Sequence, residues 1–208
     1  MARLFKTLFF IFALLIIIEA ACFVLVRPDG TGVSGRADLL VSFKGPGVPT
    51  QKVFSLLKDG AAARFAIPGT PQKTIASFTR KYGLPSDVKY IPAGDRTAST
   101  FEDALQAGKV IRDGGFRDVL LVAAEYHVAR AKLLLWAETL GSGCRITVVG
   151  IPGGGSSRQK VAHWYNEAVK LPGSVFELVW YHATGRLLTS YPRLNGALER
   201  VKGGVLCD

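Results

Sequence analysis

Cysteine is scarce in this chain, and its cysteines stand in no pattern that binds a metal or forms a redox pair. The three are Cys22, Cys144 and Cys207, and their spacing fits neither a zinc site nor a Cys-x-x-Cys pair. A chain of 208 residues can bury a core large enough to fold without disulfides. The sequence therefore predicts no metal site and no thiol chemistry, and it leaves the pairing of Cys144 with Cys207 open.

The signatures of nucleotide-binding loops and of serine hydrolases are missing as well. The stretch 150–157 is rich in glycine, but it has neither the spacing of a dinucleotide fingerprint nor the lysine of a P-loop. No G-x-S-x-G nucleophile elbow occurs in the chain, which disfavours a hydrolase with a serine nucleophile.

Runs of basic residues are also absent, although the formal net charge is +10. Lysine and arginine are distributed singly, without the clusters and interleaved aromatics that nucleic-acid-binding modules show. The positive charge therefore favours an anionic membrane surface or an anionic ligand, and we expect no nucleic-acid partner.

One long apolar run is present, from Thr7 to Val26, and only Glu19 interrupts it. Twenty such residues are enough to span a bilayer. Arg3 and Lys6 precede the run, and positive flanks stay in the cytoplasm, so residues 1–6 are predicted to be cytoplasmic and the rest to lie across the membrane. The lipid bilayer is thus a predicted partner.

A cleaved signal peptide and a lipoprotein signal are the alternatives to this anchor. Glu19 stands three residues before Cys22, where a lipoprotein signal has leucine, and apolar residues 23–26 continue past any plausible cleavage site. An uncleaved anchor at 7–26 is the preferred interpretation.

Strands and helices alternate after a Gly/Pro/Ser-rich linker at 27–36, which predicts one α/β domain over 37–190 with a tail at 191–208. A parallel sheet with helices on both faces suits this alternation. The predicted strands are 37–43, 63–67, 88–91, 119–123 and 144–149; the predicted helices are 51–58, 71–82, 99–112, one from 129 onward, and 158–188 with a break at Pro172–Gly173.

The stretch Arg117–Ala131 holds the most promising polar residues, because a buried strand runs there directly into a helix. Glu125, His127 and Arg130 fall at this junction. Ligands of parallel α/β sheets bind outside the carboxyl ends of the strands, where helix N-termini favour anions. Structural roles remain open: His127 as a helix-capping or packed histidine, and Arg130 as an ion-pair partner of Asp103 or Glu125.

The segment Ser99–Glu102 fits a capping box, in which Ser99 accepts from the backbone of Glu102 and the glutamate reaches back. This explains two polar residues without any function.

The last predicted helix is rich in aromatic residues. Phe176, Val179, Trp180, Ala183 and Leu187 recur at helical spacing. Core packing onto the sheet is the first interpretation, and a membrane-facing helix beside the anchor is the alternative.

Two motifs resemble the YdcF/SanA/ElyC family of bacterial domains of unknown function. Residues 97–104 are similar to its Ser-x-Asn-Thr-x-Glu-Asn-Ala pattern, and residues 123–130 to its Thr-Ser-x-x-His-x-x-Arg pattern. The matching residues are Thr100, Glu102, His127 and Arg130. The chain departs from the family at Ser99, Asp103, Ala123 and Ala124.

The resemblance implies a three-layer α/β/α Rossmann-like domain. Family members with a membrane anchor have envelope roles that involve peptidoglycan assembly and undecaprenyl-phosphate lipid carriers, and the resemblance implies a role of this kind. It therefore places the anchor in the bacterial inner (plasma) membrane and the globular domain in the periplasmic or extracytoplasmic space. S-adenosylmethionine binding is suggested for a cytosolic member, but no cofactor or agreed reaction follows for this chain.

With a five-stranded, mostly parallel sheet in the order 3-2-1-4-5, the first and fourth strands meet at the switch point and form one crevice. In this hypothesis Arg130 grips a phosphate group, His127 donates a hydrogen bond or transfers a proton, and Glu102 or Glu125 orients His127. The predicted ligand-binding residues are Lys44, Gly45, Thr97, Ser99, Thr100, Asp103 and Glu125.

Two functions are compatible with this crevice. One is peptidoglycan or envelope biogenesis through a phosphate-bearing ligand such as a polyprenyl-phosphate carrier. The other is a non-catalytic module that binds a nucleotide or S-adenosylmethionine-like ligand, or that recruits cell-wall enzymes as a scaffold. The sequence leaves open whether the protein is an enzyme.

Overall fold

The computed structural model describes residues 35–43, 50–152, 156–191 and residue 196. The predicted cytoplasmic N-terminus, the membrane anchor at 7–26, most of the linker and nearly all of the tail lie outside the described residues, as do Lys44 and Gly45. Within the described ranges, no helix is long and apolar enough to cross a membrane.

Five parallel strands form one sheet in the order β3-β2-β1-β4-β5, which confirms the predicted order. The strands are β1 (Leu39–Ser42), β2 (Arg64–Ala66), β3 (Lys89–Tyr90), β4 (Asp118–Ala124) and β5 (Arg145–Ile151). The helices are α1 (Thr50–Lys58), α2 (Gln72–Tyr82), α3 (Thr100–Gly114), α4 (Val128–Glu138) and α5 (Ser157–Thr184). Two 3-10 turns lie at Glu125–His127 and Leu188–Ser190.

Both faces of the sheet are covered, because successive residues of a strand point to opposite sides. Leu39 and Val41 of β1 join the hydrophobic cluster that α3 and α4 complete, whereas Leu40 joins the one that α1 and α2 complete. The domain is therefore a Rossmann-like α/β fold with helices on the two sides of a parallel sheet.

Asp38 fixes the starts of the two central strands relative to each other. Its Oδ2 accepts the backbone N–H groups of Arg117 at 2.9 Å and Asp118 at 3.0 Å. These backbone hydrogen bonds lower the pKa of Asp38. The carboxyl ends of β1 and β4 are thereby held side by side.

Helix α5 runs without a break through Pro172, so the predicted interruption is wrong. A proline inside a helix loses one hydrogen bond and costs roughly 3 kcal/mol. Here Glu167, before the proline, and Ser174, after it, both bind Arg130 of α4. Arg130 thus ties α5 to α4 on both sides of the proline.

The packing of α5 differs from the first interpretation of its aromatic residues. Leu178 and Tyr181 do pack against the cluster of α3 and α4. Phe176 and Val179, however, are 55% and 60% exposed. Core packing is therefore the wrong prediction for these two residues.

Candidate functional site

The described residues that were predicted to line a crevice lie where β4 ends and two helices begin. The 3-10 turn Glu125–His127 leads from β4 directly into α4, and α3 begins nearby at Thr100. His127 and Arg130 are both buried, with 3% and 7% of their surface exposed. Helix α5 contacts this corner, and it supplies a residue that the sequence analysis did not single out.

That residue is Glu167, which forms a two-pronged ion pair with Arg130. Arg130 Nε donates to Glu167 Oε2 and Nη2 to Oε1, both at 2.8 Å. This fork geometry is the strongest form of arginine–carboxylate pairing. The ion pair ties α5 to the start of α4.

The remaining donors of Arg130 are also directed at protein groups. Nη1 donates to Thr100 Oγ1 at 2.7 Å and to Ser174 Oγ at 3.4 Å, and Nη2 lies 3.1 Å from His127 Nδ1. A guanidinium has five N–H groups, and four of them have oxygen acceptors in Glu167, Thr100 and Ser174. The fifth points toward His127 Nδ1, so most of the hydrogen-bonding capacity of Arg130 is used within the protein.

His127 completes the network through Nδ1, which lies 2.9 Å from Glu167 Oε2. Burial lowers the pKa of His127 despite the opposing effect of its hydrogen bond to Glu167, so the ring is neutral at pH 7. An ionised carboxylate only accepts, so Nδ1 carries the proton and donates it to Glu167. Nε2 is then an acceptor, and no hydrogen-bond partner for it occurs among the described residues.

The ionisation of Glu167 follows from this network. Burial alone raises the pKa of the carboxyl, but the hydrogen bonds from His127 and Arg130 outweigh it and lower the pKa to about 2. Because His127 is neutral above its lowered pKa, the charge that stabilises Glu167 at pH 7 is that of Arg130.

The predicted role of Glu102 is corrected by its contacts. The backbone N–H of Glu102 donates to Ser99 Oγ at 3.3 Å, which is the first half of the predicted capping box. The second half differs, because Glu102 Oε2 accepts the backbone N–H of Ala98 at 2.9 Å and not that of Ser99. Glu102 Oε1 accepts from Thr189. Its carboxylate serves the start of α3 and does not orient His127.

Glu125 does not orient His127 either, since its side chain is exposed. The ion pair of Arg130 is formed with Glu167 and not with Asp103 or Glu125. Asp103 is buried and accepts from Thr97 Oγ1 at 2.6 Å.

The sequence carried one signal for the missed glutamate. Glu167, Leu171 and Ser174 follow the i, i+4, i+7 spacing of one helix face, and all three are buried. A charged residue and a serine on the buried side of a helix indicate a polar partner underneath, here Arg130.

No group of three His, Cys, Asp or Glu side chains capable of holding a metal ion occurs in the described part of the chain. A surface depression of about 380 Å³ lies elsewhere, at the edge strand β3, which β2 and β1 separate from β4. Its lining residues are Gln72, Ile75, Ala76, Thr79, Arg80 and Tyr90.

The fold and the site thus define a doubly wound α/β domain with a buried Arg–Glu–His network at its topological switch point. No protein-family model matches the chain, and no curated protein or solved structure shows a significant match to it.

Proposed function

We propose that this chain is a membrane-anchored, YdcF-like domain that binds a phosphate-bearing ligand, such as a polyprenyl-phosphate carrier, in bacterial cell-envelope biogenesis. The observation that carries the proposal is the orientation of His127. Glu167 holds its Nδ1 side at the carboxyl edge of the sheet, so that Nε2 is the ring atom left for a ligand.

The surroundings favour an anion at this edge. Helices α3 and α4 both begin here, and helix N-termini present partial positive charge. The basic charge of the chain adds a long-range attraction for anions. Two of the four residues that match the YdcF/SanA/ElyC pattern, Thr100 and Arg130, are in direct contact.

The roles proposed for the polar residues differ from those expected from sequence. His127 contacts the ligand through Nε2, as a proton donor after protonation or as a proton acceptor when neutral. Arg130 and Glu167 are positioning residues, because their hydrogen bonds go to each other and to neighbouring side chains. Thr97, Ser99 and Asp103 shape the entrance beside α3.

A non-catalytic binding or scaffold module is the second candidate, and one observation favours it. Four of the five N–H groups of Arg130 donate to oxygen atoms of the protein. An arginine whose hydrogen bonds hold α5 against the domain has a structural role that requires no substrate.

The test uses two substitutions of His127 in the full chain, reconstituted in lipid nanodiscs. The amide of His127→Asn takes the place of Nδ1, keeps the bond to Glu167 and removes Nε2, whereas His127→Gln places its amide near Nε2 and gives up Nδ1. Calorimetry with geranyl phosphate and S-adenosylmethionine measures binding. We expect geranyl phosphate to bind the wild type and to lose about tenfold or more in affinity with His127→Asn.

If geranyl phosphate binds the wild type and His127→Asn with equal affinity, His127 does not contact the ligand. Binding of S-adenosylmethionine alone would favour the small-ligand module. If calorimetry detects no binding of either ligand and the chain captures a cell-wall enzyme, the scaffold function would be favoured.

A further inference from the structure

We infer that α5 also carries a docking surface for a membrane whose lipids are negatively charged. Six large apolar side chains of this helix are exposed to solvent, and together they are called the apolar face here. They are Val161, Trp164, Tyr165, Val169, Phe176 and Val179.

The apolar face is one continuous stripe along the helix. At about 100° per residue, its six members fall within an arc of roughly 140°. The buried residues Glu167 and Ser174 lie on roughly the opposite side of the helix axis, and the buried Leu171 lies beside the edge of the stripe. Helix α5 therefore turns a partly polar side toward the domain and its apolar side toward solvent.

This arrangement is the reverse of an ordinary surface helix, which buries its apolar stripe. The reason lies in the partners of the buried side. Glu167 pairs with Arg130, and this pairing fixes the rotation of α5 about its axis. A contiguous exposed apolar surface of this kind marks an interaction site.

The charges of α5 indicate the kind of partner. Arg158 and Lys160 lie in its first turn, which holds no acidic residue. Positive charge at a helix N-terminus opposes the helix dipole, so these residues do not serve the stability of the helix. Basic residues beside a stripe of Trp, Tyr, Phe and Val are the composition of helices that lie in the interface of anionic membranes.

The length of the chain before the domain favours the same partner. The inference rests on the proposed function in one respect, namely the predicted anchor at 7–26. Residues 27–36 connect this segment to the domain, and ten residues reach at most about 35 Å. The domain is then confined to the membrane surface, where α5 needs no high intrinsic affinity to make contact.

The experiment follows the fluorescence of Trp164 in the full chain. Trp136→Phe and Trp180→Phe leave Trp164 as the only one of the three tryptophans. This variant is placed in nanodiscs of phosphatidylcholine with phosphatidylglycerol whose acyl chains are brominated. We expect bromine to quench roughly half or more of the Trp164 emission, because interfacial helices insert about 5–10 Å.

The comparison variants separate the apolar face from general effects. Phe176→Ser with Val179→Ser shortens the apolar stripe without changing charge, and it should abolish the quenching. Ser77→Asp lies on α2, on the other face of the sheet, where Ser77 is exposed, and it should leave the quenching unchanged. Circular dichroism verifies that all variants are folded.

The outcomes distinguish this inference from the proposed function. If the chain enters nanodiscs and Trp164 stays unquenched, the anchor stands and the docking surface is refuted.

If the chain does not enter nanodiscs, the prediction of the anchor is wrong, and the same chain is floated with phosphatidylglycerol vesicles. Binding that is about tenfold weaker for the double serine variant then supports the docking surface, and no binding refutes it. The chain could instead form a dimer without lipid, in which Trp164 is shielded from solvent. If the double serine variant does not form this dimer, a second copy of the chain covers the apolar face and the inference is overturned.

Discussion

Replacing Glu167 with glutamine tests whether the buried network holds the domain together. The side chain keeps its size in Glu167→Gln but loses the charge that faces Arg130, which is buried. The pKa of Glu167 falls from 4.5 to about 2 on folding, and this difference corresponds to about 3 kcal/mol of stability at pH 7. Breaking buried ion pairs by removing one partner costs a similar amount, about 3–5 kcal/mol.

The assay is urea unfolding of the full chain at several pH values. Because the folded pKa of Glu167 is the lower one, its contribution is complete above pH 4.5 and disappears as the pH falls toward 2. Wild type should therefore exceed Glu167→Gln by about 3 kcal/mol at pH 7, and the two should converge near pH 2. Asp87→Asn is the matched control, since it removes the negative charge of the exposed Arg36–Asp87 pair and should change little.

Equal stability of wild type and Glu167→Gln at pH 7 would refute this account of the network. A second variant excludes a merely steric effect. Exchanging both partners for apolar residues, Arg130→Met with Glu167→Leu, leaves no buried charge unpaired and should restore much of the lost stability. A double variant as unstable as the sum of the two single variants would contradict the pairing.

Three further predictions concern the histidine and two glycines. Burial lowers the pKa of His127 below 6.5, so the unfolded chain gains a proton first and stability falls as the pH drops below 6.5; urea midpoints at pH 7.5 and 5.5 should show this slope in wild type but not in His127→Asn. Gly69→Ala should lower the melting temperature more than Gly60→Ala, because both positions have positive φ but only at Gly69 would a Cβ atom overlap the Thr97 side chain; equal losses would contradict the contact. Gly108→Ala should lower the melting temperature, since its Cβ would lie 2.7 Å from Glu138 Cβ. Gly173→Ala should raise the melting temperature in the same calorimetric measurement, because no atom lies within 4 Å of its Cβ and the better helix propensity of alanine adds about 0.5–1 kcal/mol.

The strand order and the Ser99 cap of α3 were predictable from sequence because they depend on local patterns. Continuous apolar runs such as Val119–Ala123 identify buried strands, and alternating helices restrict how parallel strands are connected. The pairing of Ser99 with Glu102 depends only on residues three apart. The sheet order and this cap are both confirmed.

The partner of His127 was not predictable in the same way, because it lies forty residues further along the chain. Glu102 and Glu125 are close in sequence or in the family pattern, but backbone groups and Thr189 satisfy Glu102, and Glu125 faces solvent. Which carboxylate reaches a buried ring is decided by how α5 packs, and periodicity within one helix carries no information on that.

The rotation of α5 links the buried network to the exposed surface. Hydrophobic spacing reveals an apolar stripe on a helix but does not say whether that stripe faces the core. The ion pair between Arg130 and Glu167 decides it, because rolling the stripe inward would carry Glu167 to the outside and leave Arg130 buried without its counter-charge. That loss is on the order of 3 kcal/mol, comparable with burying one large apolar side chain at about 1.5–3 kcal/mol. Since several such side chains are exposed, the folded arrangement also depends on how Glu167, Leu171 and Ser174 pack on the buried side of α5. Shortening one of these buried side chains with Ser174→Gly should therefore leave Phe176 and Val179 exposed, and solvent accessibility of a label at position 179 measures whether it does.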